Sequence, residues 1–370
     1  MDALFSPEGR NDPQLAMRQL PTLGCRYEVV DAVLRDRRTR APAIPPSDDA
    51  MFALLRRFMA RLDGQRHHRT RAPFARIFTP KRTASYHQMI ADGCNRLLDA
   101  VEVHGQMDLV AAFARPLPFG VICEVLGVSE NDQPWLETTM ATLNASFAGQ
   151  RHRANVERGN EATRSLLEYF DRQLAARSRH PADDLLSVLA ADEGAQDARE
   201  DLLANCVFFL LAGHTTTTTL LAAGTVVLLE HPDQLDMLRV DGARWPAAVE
   251  ELLRFLSPIT ITGVGLEHDV KVGDRTLTAG TNRLLCIAAA NRDPDVFLEP
   301  DRFDIRRVPN PHLAFTVGPH HCVGAPLARL HGQVGLAALF HRYPGLRLSG
   351  PVEWIGSAPV RQLASAPVTW

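Results

Sequence analysis

Phe315-Thr316-Val317-Gly318-Pro319-His320-His321-Cys322-Val323-Gly324-Ala325 is the stretch on which the reading of this chain turns. A cysteine stands just before an apolar helical run, behind a loop that contains glycine. Free backbone N–H groups at a helix start favour a thiolate over a thiol. Gly318 and Gly324 carry no side chain, so a flat macrocycle can approach the backbone closely there. On the residues alone, three readings stand. Cys322 is a ligand to the iron of such a macrocycle, a buried free cysteine at a helix start, or part of a zinc site with His320 and His321. Adjacent ligands rarely reach one tetrahedral ion, and no partner pair with metal-ligand spacing occurs elsewhere, which weighs against zinc.

The rest of the chain sets the frame for that loop. It has 370 residues, 45% hydrophobic and 22% charged, a globular composition. A net charge of −3 argues against a nucleic-acid binder that works by neutralising phosphates, although an Arg/His cluster occupies 66–71. The longest apolar runs, 202–212 and 220–229, are separated by His214 and five threonines, so no membrane span is expected. The N-terminus has neither a basic nor an apolar signal region. The six cysteines are scattered without a CxxC pair, which fits a reducing cytoplasm.

Helical spacing runs almost unbroken over 49–255, with Leu54, Leu55, Phe58, Met59 and Leu62 on one face and Leu166, Leu167, Phe170 and Leu174 on another. Residues 183–191 predict a short helix. Residues 199–230 predict one long helix, apolar on nearly all faces, entered through Glu200 and Asp201 and stopped at His231-Pro232. Residues 258–287 alternate β-branched residues with glycine turns and predict short strands. An irregular coil over 291–319 leads to a helix within 322–342, and 346–370 predicts further short strands. The expectation is a single, mainly α domain over 1–370 with a minor β part.

Three more stretches carry polar residues at telling spacings. Glu251 and Arg254 lie three apart on one helix face, as do His67 and Arg71 at four apart. Each is ordinarily a solvated surface pair. Leu210-Leu-Ala212-Gly213-His214-Thr215-Thr216-Thr217 puts a glycine and hydroxyls inside the long apolar helix. Threonine there either bonds the preceding turn or merely weakens the helix.

Together these stretches resemble the cytochrome P-450 family, whose cysteine loop reads Phe-Gly-x-Gly-x-His/Arg-x-Cys-x-Gly. Every fixed position matches except the first glycine, which is Thr316 here. The resemblance runs in order from about residue 12 to the C-terminus and implies a single triangular helical domain that binds haem b. Cys322 would be the iron ligand, and Phe315, Gly318, His320 and Gly324 would form the haem loop. His67, Arg71 and His320 would bind the haem carboxylates. Ala212 and Gly213 would lie over the haem, Thr216 would hold dioxygen, and Thr215 would relay protons. Glu251 and Arg254 would join Arg302, from Pro300-Asp-Arg302-Phe303, in a structural brace, while Ala290-Asn-Arg-Asp-Pro294 would serve packing.

The implied function is a soluble bacterial-type monooxygenase acting on a small, largely apolar substrate, a secondary-metabolite intermediate. Segments 50–62, 138–150 and 205–216 would hold that substrate. Electrons would come from a ferredoxin and ferredoxin reductase, with no nucleic-acid or membrane partner. Three departures bear on this. Thr215 stands where the family has an acid, and a hydroxyl is the poorer relay for the proton that O–O cleavage needs. This motivates an alternative: peroxide-driven oxidation, ring or bond formation, or nitrene-type transfer. Val264 stands where the family has a carboxylate-binding arginine five residues before Asp269, and Arg283 is a candidate stand-in. The stretch between Asp12-Pro13 and Tyr27–Asp31 is short for the family's first hairpin. A third class, a non-catalytic haem or ligand binder, is disfavoured by Gly213 and Thr216, which binding alone does not need.

Overall fold

The computed structural model describes residues 24–44, 46–148, 152–192, 198–355 and 360–370. The Asp12-Pro13 stretch, the N-terminal signal reading and the end of the 138–150 segment lie outside them. In chain order the helices are α1 (Tyr27–Arg35), α2 (Ala50–Arg57), α3 (Gly64–Ala75), α4 (Pro80–Glu102), α5 (Pro116–Leu126), α6 (Gln133–Ala148) and α7 (Arg153–Arg179). Then follow α8 (Leu185–Ala190), α9 (Arg199–Glu230), α10 (Pro232–Val240), α11 (Trp245–Leu256), α12 (Ile287–Ala290) and α13 (Ala325–Arg342). The strands are β1 (Thr39–Arg40), β2 (Gln106–Asp108), β3 (Ile261–Leu266), β4 (Val270–Val272), β5 (Arg275–Leu277), β6 (Thr281–Cys286), β7 (Arg347–Leu348), β8 (Glu353–Ile355), β9 (Gln362–Ser365) and β10 (Pro367–Thr369). They form two three-stranded sheets, β1-β3-β6 and β2-β10-β7, and two pairs, β4-β5 and β8-β9.

Contacts divide the chain into two compact units, and the boundary falls inside α9, between His214 and Thr215. One unit comprises 40–82 and 119–214. Its long helix α7 buries Val156, Ala162, Leu166, Phe170 and Leu174, the three-to-four spacing of a core-facing stripe. Asp184 caps α8, accepting from the Ser187 N–H at 2.7 Å, and Arg177 holds the same carboxylate at 2.6 Å. The helical spacing over 50–62 does not form one helix: α2 ends at Arg57, Phe58 is extended, and a 3₁₀ turn follows over Met59–Arg61. Asn205 on α9 fills the break. Its amide donates to the Arg57 carbonyl at 2.9 Å, and its carbonyl oxygen accepts from the Met59 N–H at 2.6 Å. A tertiary side chain there replaces the helix's own bonds, which hydrophobic spacing cannot reveal.

The other unit holds 24–39, 83–118 and 215–370 among the described residues. The second half of α9 packs its apolar residues against α13. A Cβ at Gly335 would stand 2.9 Å from Leu221 Cδ2 and 3.3 Å from Leu117, so the helices meet at glycine and a larger residue would push them apart. The face of the β3–β6 pair packs on α1 in a core of Val29, Val30, Val33, Val264, Leu266, Leu285 and Leu313. The helix α9 is long and apolar enough to cross a membrane by length and composition, but 61% of its most apolar stretch is buried. It is the core helix that its all-round apolar character predicted.

Candidate haem site

The cysteine loop is closed by its own backbone. The Cys322 N–H donates to the Phe315 carbonyl at 2.9 Å, and the Thr316 N–H to Leu313 at 2.8 Å. The His321 N–H donates to Gly318 at 3.1 Å. Gly318 has φ +75°, and a Cβ there would overlap the carbonyl oxygen of Leu34 on α1, so no other residue fits. Thr316 also has a positive φ, 57°, the left-handed region that costs a β-branched residue roughly 1–2 kcal/mol. A backbone conformation that favours glycine thus stands where the family pattern has glycine. The Thr316 hydroxyl offsets part of that cost by donating to the His320 carbonyl at 2.9 Å.

The loop delivers Cys322 to the head of α13 with its side chain exposed. The other cysteines differ: Cys94, Cys123, Cys206 and Cys286 are buried. Burial pushes the thiols of Cys94 and Cys123 up to about 12. Among the described residues, chain neighbours aside, the heavy atom nearest a Cβ added at Gly324 is Cys322 Sγ, at 4.0 Å, so the backbone beside the sulfur is open. A bare backbone cradle around an exposed thiol at a helix head fits a flat iron macrocycle, and among the described residues no cluster of metal-binding side chains supports the zinc reading.

Two adjacent glutamates on α11 brace this loop in different directions. Glu251 and Arg254 are fully buried and make a two-pronged pair, 2.8 Å on each prong. The expected third member was Arg302. The structure corrects this: the Arg302 side chain is exposed and pairs with Glu299 at 3.0 Å, contributing to the brace only its carbonyl, which accepts from Arg254 at 3.2 Å. Arg307 reaches Glu251 instead, its Nε at 3.1 and 3.2 Å from the two carboxylate oxygens, with Asn310 at 3.2 Å. A turn of coil between 302 and 307 carries the second arginine inward, which the stretch around Phe303 did not reveal.

Glu250 faces the other way. It takes Arg329 of α13 on both oxygens, at 2.7 and 2.9 Å, and His312 at 3.1 Å. The Arg329 guanidinium lies 4.6 Å over the ring of Phe315. Burial raises the Glu250 carboxyl pKa, but hydrogen bonds and charge from His312 and Arg329 outweigh it and lower it to about 2. This network was not foreseen; the only sequence signal was the doubled Glu250-Glu251. Asn291, in the stretch expected to serve packing, accepts from the Leu313 N–H at 2.6 Å and so tethers the loop's start.

The remaining predicted residues divide between the two units. Thr215 and Thr216 lie with the cysteine loop's unit, and His67, Arg71, Ala212 and Gly213 in the other. His67 and Arg71 share a face of α3, with His67 buried and Arg71 half-buried. Their neighbour Arg66 is taken up by Asp201 at 2.6 Å, so part of the 66–71 basic cluster is structural. A Cβ at Gly213 would meet Ile122 at 3.4 Å, ordinary van der Waals contact. Leu211 to Thr216 are all half-buried inside a helix that is otherwise mostly buried. Thr219 donates to the Arg361 carbonyl at 2.6 Å and to the Thr215 carbonyl at 3.2 Å, tying α9 to the strand segment ahead of β9.

The comparisons with known proteins agree with this geometry. The family model described as Cytochrome P450 matches residues 245–346. The biotin biosynthesis cytochrome P450 of Bacillus subtilis is 34% identical over 333 residues, covering 89% of this chain and 84% of that protein. This chain belongs to the cytochrome P450 family. The 6-deoxyerythronolide B hydroxylase of Saccharopolyspora erythraea is 36% identical over 320 residues, 84% of this chain and 77% of that one. A crystal structure of P450BioI in complex with a hexadec-9Z-enoic acid ligated acyl carrier protein superposes with a TM-score of 0.92 at 32% identity, covering 98% of this chain and 100% of that one. The P450 enzyme CxnD, for C–S bond formation in chuangxinmycin biosynthesis, superposes with a TM-score of 0.80 at 30% identity, over 93% and 86% of the two chains. The fold is that of a cytochrome P450, mainly α with small sheets. The protein is an oxidoreductase of the P450 monooxygenase kind, its cofactor is haem b, and it acts on a small molecule with a redox partner.

Proposed function

We propose that this protein is a haem-thiolate monooxygenase with Cys322 as the iron ligand. The observation that carries the reading is the exposed Cys322 thiol, presented at the head of α13 by a backbone-closed loop. When bound, haem on a thiolate supplies electron-rich iron that favours O–O cleavage. Phe315, Gly318 and Gly324 would line its approach, and His67, Arg71 and His320 would hold its carboxylates. With haem bound, Ala212 and Gly213 would leave α9 slender beside it, the Thr216 hydroxyl would orient dioxygen, and Thr215 would pass protons from water.

The whole chain serves as one haem-thiolate domain in the cytoplasm. Its electrons come from NAD(P)H through a ferredoxin and its reductase. The substrate is a small, largely apolar intermediate of secondary metabolism, in keeping with relatives named 6-deoxyerythronolide B hydroxylase and nocardicin C N-oxygenase. Thr215 favours a second reading, an atypical outcome such as bond formation or peroxide-driven oxidation, which the relative named for C–S bond formation makes concrete.

The test is the absorption spectrum of the reduced protein under carbon monoxide. A Soret band shifted to long wavelength is expected, and Cys322→Ser should abolish the shift. A wild-type spectrum without the shift, or one that Cys322→Ser leaves intact, defeats the reading.

A further inference from the structure

Arg283 lies on β6, directly opposite Val264 on β3. Residues directly opposite in an antiparallel pair project from the same face, with Cβ atoms roughly 4.5–5.5 Å apart. That face also carries Leu285 and Leu266, and it packs on α1 in the core that includes Leu313, with Val317 against its edge. Leu313 and Val317 belong to the segment that closes on Cys322. The guanidinium of Arg283 is thus rooted on the side of the sheet that the cysteine loop shares.

Its Nε is buried and has no hydrogen-bond partner among the described residues. Arg283 as a whole is half-buried, but a buried guanidinium N–H with nothing to donate to is costly, and native proteins rarely leave one so. The acids of α1 do not bond it: Glu28 is exposed, and Asp31 accepts from Arg35 through Oδ2 at 2.8 Å, while its buried Oδ1 accepts from no described residue. Asp269, just beyond β3, accepts from the Ala279 N–H at 2.8 Å. None of these carboxylates bonds Arg283, and a planar donor fork in such a place suits a further carboxylate.

We propose that Arg283 binds a carboxylate of the haem, supplying from β6 the cation that Val264 cannot supply from β3. This rests on the haem-thiolate reading. The charge has moved one strand across the ladder rather than being lost. Because the two positions face the same space, an arginine on either strand reaches it.

The test measures haem retention, as the rate at which the holoenzyme gives up haem to excess apomyoglobin. It uses iron protoporphyrin IX and its dimethyl ester, which keeps the ring and removes both carboxylate charges. Arg283→Leu should release the free-acid haem roughly tenfold to a hundredfold faster, the loss of one charge-assisted hydrogen-bonded pair. The same variant should release the ester no faster than the wild type does. The reciprocal Val264→Arg/Arg283→Val variant should restore retention of the free acid, which keeps the question answerable if Arg283→Leu folds poorly.

Unchanged release from Arg283→Leu, or equal acceleration for acid and ester, overturns the proposal. So does unchanged haem release with weakened binding of a carboxylic-acid substrate, since the carboxylate would then belong to the substrate. A wild type without the shifted carbon monoxide band refutes the haem-thiolate reading itself, whereas a normal band with unaltered retention refutes only the role of Arg283.

Discussion

Replacing Arg307 with alanine tests the brace that the structure assigns to Glu251. Glu251 and Arg254 have no exposed side-chain surface, and Arg307 is 9% exposed. The substitution removes the Arg307 pair with the carboxylate and its bonds to the carbonyls of Leu298 at 2.6 Å, Glu299 at 3.2 Å and Arg302 at 2.9 Å. Breaking a buried pair by removing one partner typically costs roughly 3–5 kcal/mol. Arg254 and Asn310 still hold Glu251, which sets the expectation at the low end, about 3 kcal/mol. Arg302→Ala removes only an exposed pair with Glu299, so its cost should be about 0–1 kcal/mol. Urea unfolding followed by far-ultraviolet circular dichroism separates the two, because domain stabilities of about 5–15 kcal/mol make a 3 kcal/mol loss plain. If Arg302→Ala proves as damaging as Arg307→Ala, the assignment is wrong.

Thr316→Val should destabilise by about 1–2 kcal/mol, since it keeps the strained backbone and loses the bond to His320, while Thr316→Gly should stay within about 1 kcal/mol of wild type; equal thermal midpoints for Val and wild type would contradict this. Glu250 has a folded pKa of about 2, below its ordinary 4.5, so its stabilisation is fully present above pH 4.5 and is lost as pH falls through 2. Glu250→Gln should therefore cost roughly 2–3 kcal/mol at neutral pH and flatten the acid limb of the stability profile, and an unaltered limb would count against the Arg329–His312 clamp. Thr215→Glu should raise product formed per NAD(P)H consumed under the monooxygenase reading, whereas unchanged activity independent of reductant would favour the atypical one.

Much of this protein was legible in its sequence because the decisive signals are local. The cysteine loop, the apolar length of α9, the short strands after Pro258 and the stop at His231-Pro232 each depend on neighbours within a few residues. The family pattern also fixed where glycine was missing, at 316, and where charge was missing, at 264.

What only the tertiary structure decided are the partnerships across long separations. It showed that Thr316 takes a left-handed conformation while bonding His320, that Arg307 and not Arg302 reaches Glu251, and that Asn205 bonds Met59, beside the break at Phe58, from 146 residues away. It showed Arg283 facing Val264, a matter of strand register that no spacing along the chain encodes. Periodicity specifies which face of an element is apolar. It does not specify which distant polar group arrives to satisfy a buried charge or a broken turn, because that depends on how the elements pack.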